Sequence, residues 1–116
     1  MNGNPIREKS YAFALQVVGL NRKLVARREY VLSRQLLKAG TSIGANVEEA
    51  LAGQSRRDFR AKMGIASKEA RESLYWLRLI ADSGTLPSTT VAPLVAECDE
   101  LIRLLTAIVK STGRSP

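Results

Sequence analysis

Apolar residues return every three or four positions in four separate runs of about 20 residues each. That spacing places them on one face of a helix, since a helix turns once in ~3.6 residues. Glycine and proline punctuate the runs at Gly53, Gly84 and Pro87. The pattern predicts an all-α chain with helices over residues 5–27, 29–51, 55–83 and 89–111, and a disordered tail over 112–116. Each helix is then about 30 Å long. Short connections make sequential helices antiparallel neighbours, which gives an up-down-up-down four-helix bundle. With 116 residues, a single domain is expected.

The first helix starts cleanly, with Asn4 as cap and Pro5 at the position where no N–H partner is needed. It carries two apolar stripes: Tyr11, Ala14, Leu15, Val18 and Val25, and then Phe13, Val17, Leu20 and Leu24. One stripe suffices for a helix on a monomer's surface. The second points to another buried face, such as a contact with another subunit. In the second helix the core stripe is Leu32, Leu36, Ala39, Ile43, Val47 and Ala50. Ser55, with Asp58 three residues on, resembles a capping box for the third helix. Its stripe is Phe59, Met63, Ala66, Ala70, Leu74, Leu77 and Ile80 or Ala81, and Trp76 and Leu79 fall outside it. The last helix places Pro93 in its first turn, and Cys98 lies on its apolar stripe as a small core hydrophobe.

Histidine is absent and there is one cysteine. Those two facts exclude Ser-His-Asp and Cys-His catalysis, histidine-bearing metal sites and an internal disulfide. They also disarm two decoys. Gly40-Thr41-Ser42-Ile43-Gly44 spells the G-x-S-x-G nucleophile elbow, but that motif needs a preceding strand and a histidine. The run reads instead as a small-residue face on which Gly40 and Gly44 admit another backbone. Thr41, Ser42 and Asn46 either return their polar groups to carbonyls one turn back or bond across the interface. A di-metal bundle site needs Glu-x-x-His from two helices. Without it, Glu48, Glu49, Glu97 and Glu100 read as solvated or ion-paired. The chain is expected to be no enzyme and to hold no cofactor.

The formal charge is +7, with the cationic excess in the first and third segments. In the bundle these charges gather at two ends. Arg22, Lys23, Arg27, Arg28 and Arg34 mark one; Arg7, Lys9, Arg56, Arg57, Arg60, Lys110 and Arg114 mark the other. The first group suits a helix C-terminus, whose dipole favours cations. Arg56, Arg57 and Arg60 instead stand at a helix N-terminus, where the dipole opposes them and an anion would be welcome. Few aromatics are present, so nucleic-acid binding would rest on phosphate contacts and fall with salt. The expected partners are RNA, DNA or a nucleic-acid-handling protein; the other reading is a protein-interaction scaffold whose charge serves solubility. The lone thiol fits a cytoplasmic setting. No signal peptide is visible and no window reaches the ~18 apolar residues of a membrane span.

Several runs together resemble one known family. They are Lys9-Ser10-Tyr11-Ala12-Phe13-Ala14-Leu15, Tyr30-Val31-Leu32-Ser33-Arg34-Gln35-Leu36-Leu37 and Gly40-Thr41-Ser42-Ile43-Gly44-Ala45-Asn46-Val47-Glu48-Glu49-Ala50. Gln54-Ser55-Arg56-Arg57-Asp58-Phe59 and the stretch from Lys68 to Leu79 complete the set. The chain is similar to the small bacterial four-helix proteins related to the 23S ribosomal RNA intervening-sequence protein. The accessory protein of diversity-generating retroelements belongs to the same broad group. The resemblance implies a ring-shaped homopentamer with no enzymatic activity and no cofactor. It makes Gly40, Ser42, Gly44, Asn46, Trp76 and Leu79 packing and assembly positions. The retroelement members bind a reverse transcriptase and nucleic acid through a basic surface; in this chain the candidates for phosphate contact, Arg56, Arg57, Arg60, Arg22, Lys23, Arg27 and Arg28, come from the clustering of charge at the two ends.

Overall fold

The computed structural model describes residues 3–113. They form four helices: α1 (Pro5–Ala26), α2 (Tyr30–Ala52), α3 (Arg56–Asp82) and α4 (Ser88–Thr112). No strand occurs among the described residues. Helix α1 packs on α2 and α4, and α3 packs on the same two helices. Helices α1 and α3 are not neighbours, so they lie on one diagonal of the bundle. The molecule measures 49 × 27 × 21 Å.

The caps follow from local chemistry. Asn4 Oδ1 accepts from the backbone N–H of Ile6 and Arg7, and Ser55 Oγ accepts from Asp58 N–H. Helix α3 closes on Gly84 at φ +75°, where Gly84 N–H bonds Ala81 O and Thr85 N–H bonds Ile80 O. Helix α1 closes with the same pair of bonds, Arg28 N–H to Val25 O and Glu29 N–H to Leu24 O. Here the left-handed position belongs to an arginine, Arg28, at φ 61°. Glycine is the usual residue there, since a Cβ is strained at positive φ.

Seven of the eight helix ends differ from the sequence reading by one residue; besides those that follow, Ala52 is helical, and Ser55 and Ser83 are caps outside α3. Arg27 and Glu29 lie outside the helices, in the connection that Arg28 turns. Ser88 already begins α4, so Pro93 is its sixth residue, one position deeper than expected, on an exposed face. Thr112 is helical, not part of a disordered tail; its hydroxyl donates to Ile108 O and Val109 O. Residues 114–116 of that tail lie outside the described residues.

The two stripes of α1 part company. Phe13, Val17, Leu20 and Leu24 are buried, joined by Ile6 and Ser10. Tyr11, Leu15 and Val25 are exposed, Tyr11 to 62% and Leu15 to 57%. The core continues through Leu36, Ile43 and Val47 of α2, Met63, Ala70 and Leu77 of α3, and Val91, Cys98, Leu101 and Leu105 of α4. Leu86, in the α3–α4 connection, is also fully enclosed. Three buried serines are each satisfied: Ser10 Oγ donates to Arg7 O, Ser73 Oγ to Glu69 O, and Ser33 Oγ to Asn21 Oδ1. The Cys98 thiol donates to Ala70 O at 3.1 Å. Burial first, and Asp99 beside it, push its pKa up to about 12.

Candidate nucleic-acid and assembly surfaces

Gly40 and Gly44 lie inside continuous α2 and face α1. A Cβ at Gly40 would stand 2.7 Å from Val17 Cγ2 and 2.9 Å from Cγ1. At Gly44 it would stand 3.4 Å from the backbone oxygen of Ser10. The small-residue face therefore admits α1 of the same chain. The polar members of the run turn back on their own helix: Thr41 Oγ1 donates to Leu37 O, Ser42 Oγ to Lys38 O, and Asn46 Nδ2 to Ser42 O. Held mid-helix in this way, Ser42 has none of the strand-to-helix turn that exposes an elbow serine.

Carboxylates meet cations. Glu48 pairs with Arg7, Glu49 with Lys62 and Glu100 with Lys9. The Glu49 carboxylate accepts from Lys62 Nζ and raises the lysine pKa. No cluster of three Cys, Asp or Glu side chains suited to a metal ion occurs among the described residues. No helix among the described residues is long and apolar enough to cross a membrane.

Arg56, Arg57 and Arg60 come together around one open depression that Thr112 and Gly113 complete. Arg56 Nε donates to Thr112 O at 3.2 Å. The Arg60 guanidinium lies so close over Gly113 that a Cβ there would meet its Nε and Nη2 at 2.8 Å. These two arginines thus reach the last turn of α4, where the helix dipole is negative. That accounts for cations which looked misplaced at the start of α3: their partner is the end of a different helix. Arg57 and Arg60 form no ion pair among the described residues.

At the other basic group, Lys23 and Arg27 line a depression with Ala26, Leu86, Pro87 and Thr90. Arg27 Nη1 donates to Thr85 O at 2.7 Å, tying the end of α1 to the α3–α4 connection. Arg22 and Arg28 are exposed and make no ion pair among the described residues.

Trp76 is half-buried; its Nε1 donates to Glu72 and its ring meets Tyr75 edge-on at 5.0 Å. Leu79 and Tyr75 are exposed, 37% and 57%. Sequence reasoning missed Ile65 and Tyr75 as outward apolar residues on α3; both lie off its core stripe at positions the spacing alone identifies.

A family model for the 23S rRNA-intervening sequence protein matches residues 3–107. A crystal structure of a protein with unknown function from the S23 ribosomal protein family of Bacteroides thetaiotaomicron superimposes with a TM-score of 0.87. It is 40% identical, and the alignment covers 90% of this chain and 98% of that one. No curated protein sequence matches the chain. The family match spans nearly the whole bundle, including the glycine face and the arginine cluster, so the chain belongs to the 23S rRNA-intervening sequence protein family.

Proposed function

We propose that this chain is a non-enzymatic, cytoplasmic homo-oligomer: an up-down-up-down antiparallel bundle that closes into a ring of five and contacts nucleic-acid phosphates through its basic ends. The antiparallel order is supported by contacts between helix ends, such as Arg7 with Glu48, Lys62 with Glu49 and Arg56 with Thr112. Oligomerisation is supported by apolar surface on diagonal helices, Tyr11 and Leu15 on α1 and Tyr75 and Leu79 on α3. Such surplus surface marks interfaces more often than it is left bare. Five is the number the family resemblance implies. A ring would repeat every basic end and so multiply weak phosphate contacts.

The observation that carries nucleic-acid binding is the convergence of Arg56, Arg57 and Arg60 on one open depression. Binding of a fluorescent single-stranded RNA, measured across a salt series, tests it. Wild type should lose affinity steeply as salt rises, because each neutralised phosphate releases counterions. Changing the three arginines to glutamine should weaken binding and flatten that slope. Unchanged binding would remove the site.

A second reading is favoured by the hold of Arg56 and Arg60 on the end of α4, which gives those charges a structural task. The chain then acts as a protein-interaction scaffold or accessory subunit without direct nucleic-acid contact. No RNA binding at low salt, together with a specific protein recovered in a pull-down, would select this reading.

A further inference from the structure

The turn between α1 and α2 gathers cations beside an open aromatic ring. Ser33 Oγ donates to Asn21 Oδ1 across the two helices, so the residues that follow each, Arg34 and Arg22, stand at one level of the bundle. Both are exposed. Arg28, also exposed, turns the connection beyond them at φ 61°. None of the three forms an ion pair among the described residues. The acidic residues of this end are Glu29, half-buried in the connection, and Asp82, the last residue of α3. The opposite end differs. There Arg7 pairs with Glu48 and Lys62 with Glu49, while Arg56 and Arg60 reach the end of α4.

The dipole of α1 explains Lys23, in its last turn, but not the three arginines. Arg22 precedes that turn and Arg28 lies past the helix. Arg34 stands near the start of α2, where the dipole opposes a cation. Arg28 moreover occupies a left-handed position that glycine fills without steric cost. Residues held in such positions gather at functional sites, where the side chain itself is needed. Tyr30 is 50% exposed and lies one helical turn before Arg34, so the two share a side of α2. Guanidinium groups hold phosphates, and an open aromatic face stacks on a base of any identity. A single strand offers both base faces and phosphates, whereas a duplex keeps its base faces stacked.

We infer that the α1–α2 turn binds single-stranded nucleic acid, with Arg22, Arg28 and Arg34 on phosphates and Tyr30 under a base. This inference rests on the nucleic-acid reading above and deepens it, by naming the strand form and the end of the bundle that holds it.

The test turns on Arg28→Gly, which removes a charge while relieving the backbone, so that fold and binding move in opposite directions. Binding of a fluorescent single-stranded RNA, and of the same strand annealed to its complement, is followed across a salt series alongside thermal unfolding. Wild type should prefer the single strand. Arg28→Gly should raise the melting temperature, weaken binding and lessen the salt slope by about 0.7, the share of one phosphate on a single strand. Tyr30→Ala should weaken single-strand binding about fivefold or more and leave duplex binding little changed. Unchanged affinity and slope in Arg28→Gly would overturn the site. A wild type that binds duplex equally well, or a Tyr30→Ala protein that keeps the preference, would overturn the assignment to single strands. Binding that survives Arg22→Gln, Arg28→Gly and Arg34→Gln together, yet is lost when Arg56, Arg57 and Arg60 become glutamine, would overturn this site and leave the nucleic-acid reading standing. A wild type that binds neither RNA at low salt would sink that reading, and this site with it.

Discussion

Adding one methyl group at Gly40 should do the opposite of adding it at Gly64. Both glycines lie inside helices, where alanine is favoured by ~1 kcal/mol. At Gly64 nothing stands within 4 Å of the new Cβ, so Gly64→Ala should gain most of that amount. At Gly40 the Cβ would lie 2.7 and 2.9 Å from the two methyls of Val17. Val17 is fully buried and its branched side chain has little rotamer freedom, so the helices themselves must part. Overpacking of this kind costs ~1–3 kcal/mol, which cancels or exceeds the helix gain. Gly44→Ala falls between, since its Cβ meets Ser10 at an ordinary 3.4–3.5 Å. Urea unfolding at one fixed protein concentration should therefore rank Gly64→Ala above Gly44→Ala, and Gly40→Ala last, at or below wild type. The Gly40 and Gly64 variants should differ by ~1–3 kcal/mol, and Gly40→Ala should cost less in a Val17→Ala background. A Gly40→Ala protein as stable as Gly64→Ala would refute close α1–α2 packing at this face.

Other consequences follow from single residues. Arg28→Gly should stabilise the fold by ~0.5–1 kcal/mol in thermal or urea unfolding, because Arg28 occupies φ 61° in a closing motif that α3 completes with glycine. Ser33→Ala should cost ~0.5–1.5 kcal/mol by removing the hydrogen bond to half-buried Asn21, a loss readable from the urea midpoint. The Cys98 thiol should resist a thiol reagent in the native protein at pH 8 and react once urea unfolds it. Its pKa is raised from 9.0 to about 12 in the fold, so the unfolded chain ionises first. Its contribution to stability is therefore complete below pH 9 and lost progressively from pH 9 to 12, a slope that Cys98→Ala should reduce.

Much of the bundle is written in local pattern. Asn4 and Ser55 announce their helices, Gly84 ends one, and the stripes of α2, α3 and α4 point inward as their spacing requires. Helix α1 was harder, because two stripes had equally good spacing. The distinguishing signal was present: Ile6, Ser10, Phe13, Val17, Leu20 and Leu24 run unbroken, whereas Arg22 interrupts the other stripe. Leu86 was not legible, since its enclosure depends on how the connection folds over the bundle. Neither was the task of Arg56 and Arg60. Local reading sees only the N-terminus they occupy, and the carbonyl end they serve lies some fifty residues away in α4.

The most direct test is the solution mass of the purified chain at low micromolar concentration, measured by light scattering behind a sizing column. A homopentamer of this family member should give five times 12.7 kDa, stable on dilution. A mass of 12.7 kDa would mean that the exposed stripes on α1 and α3 are bare in solution, and the oligomeric account would fail.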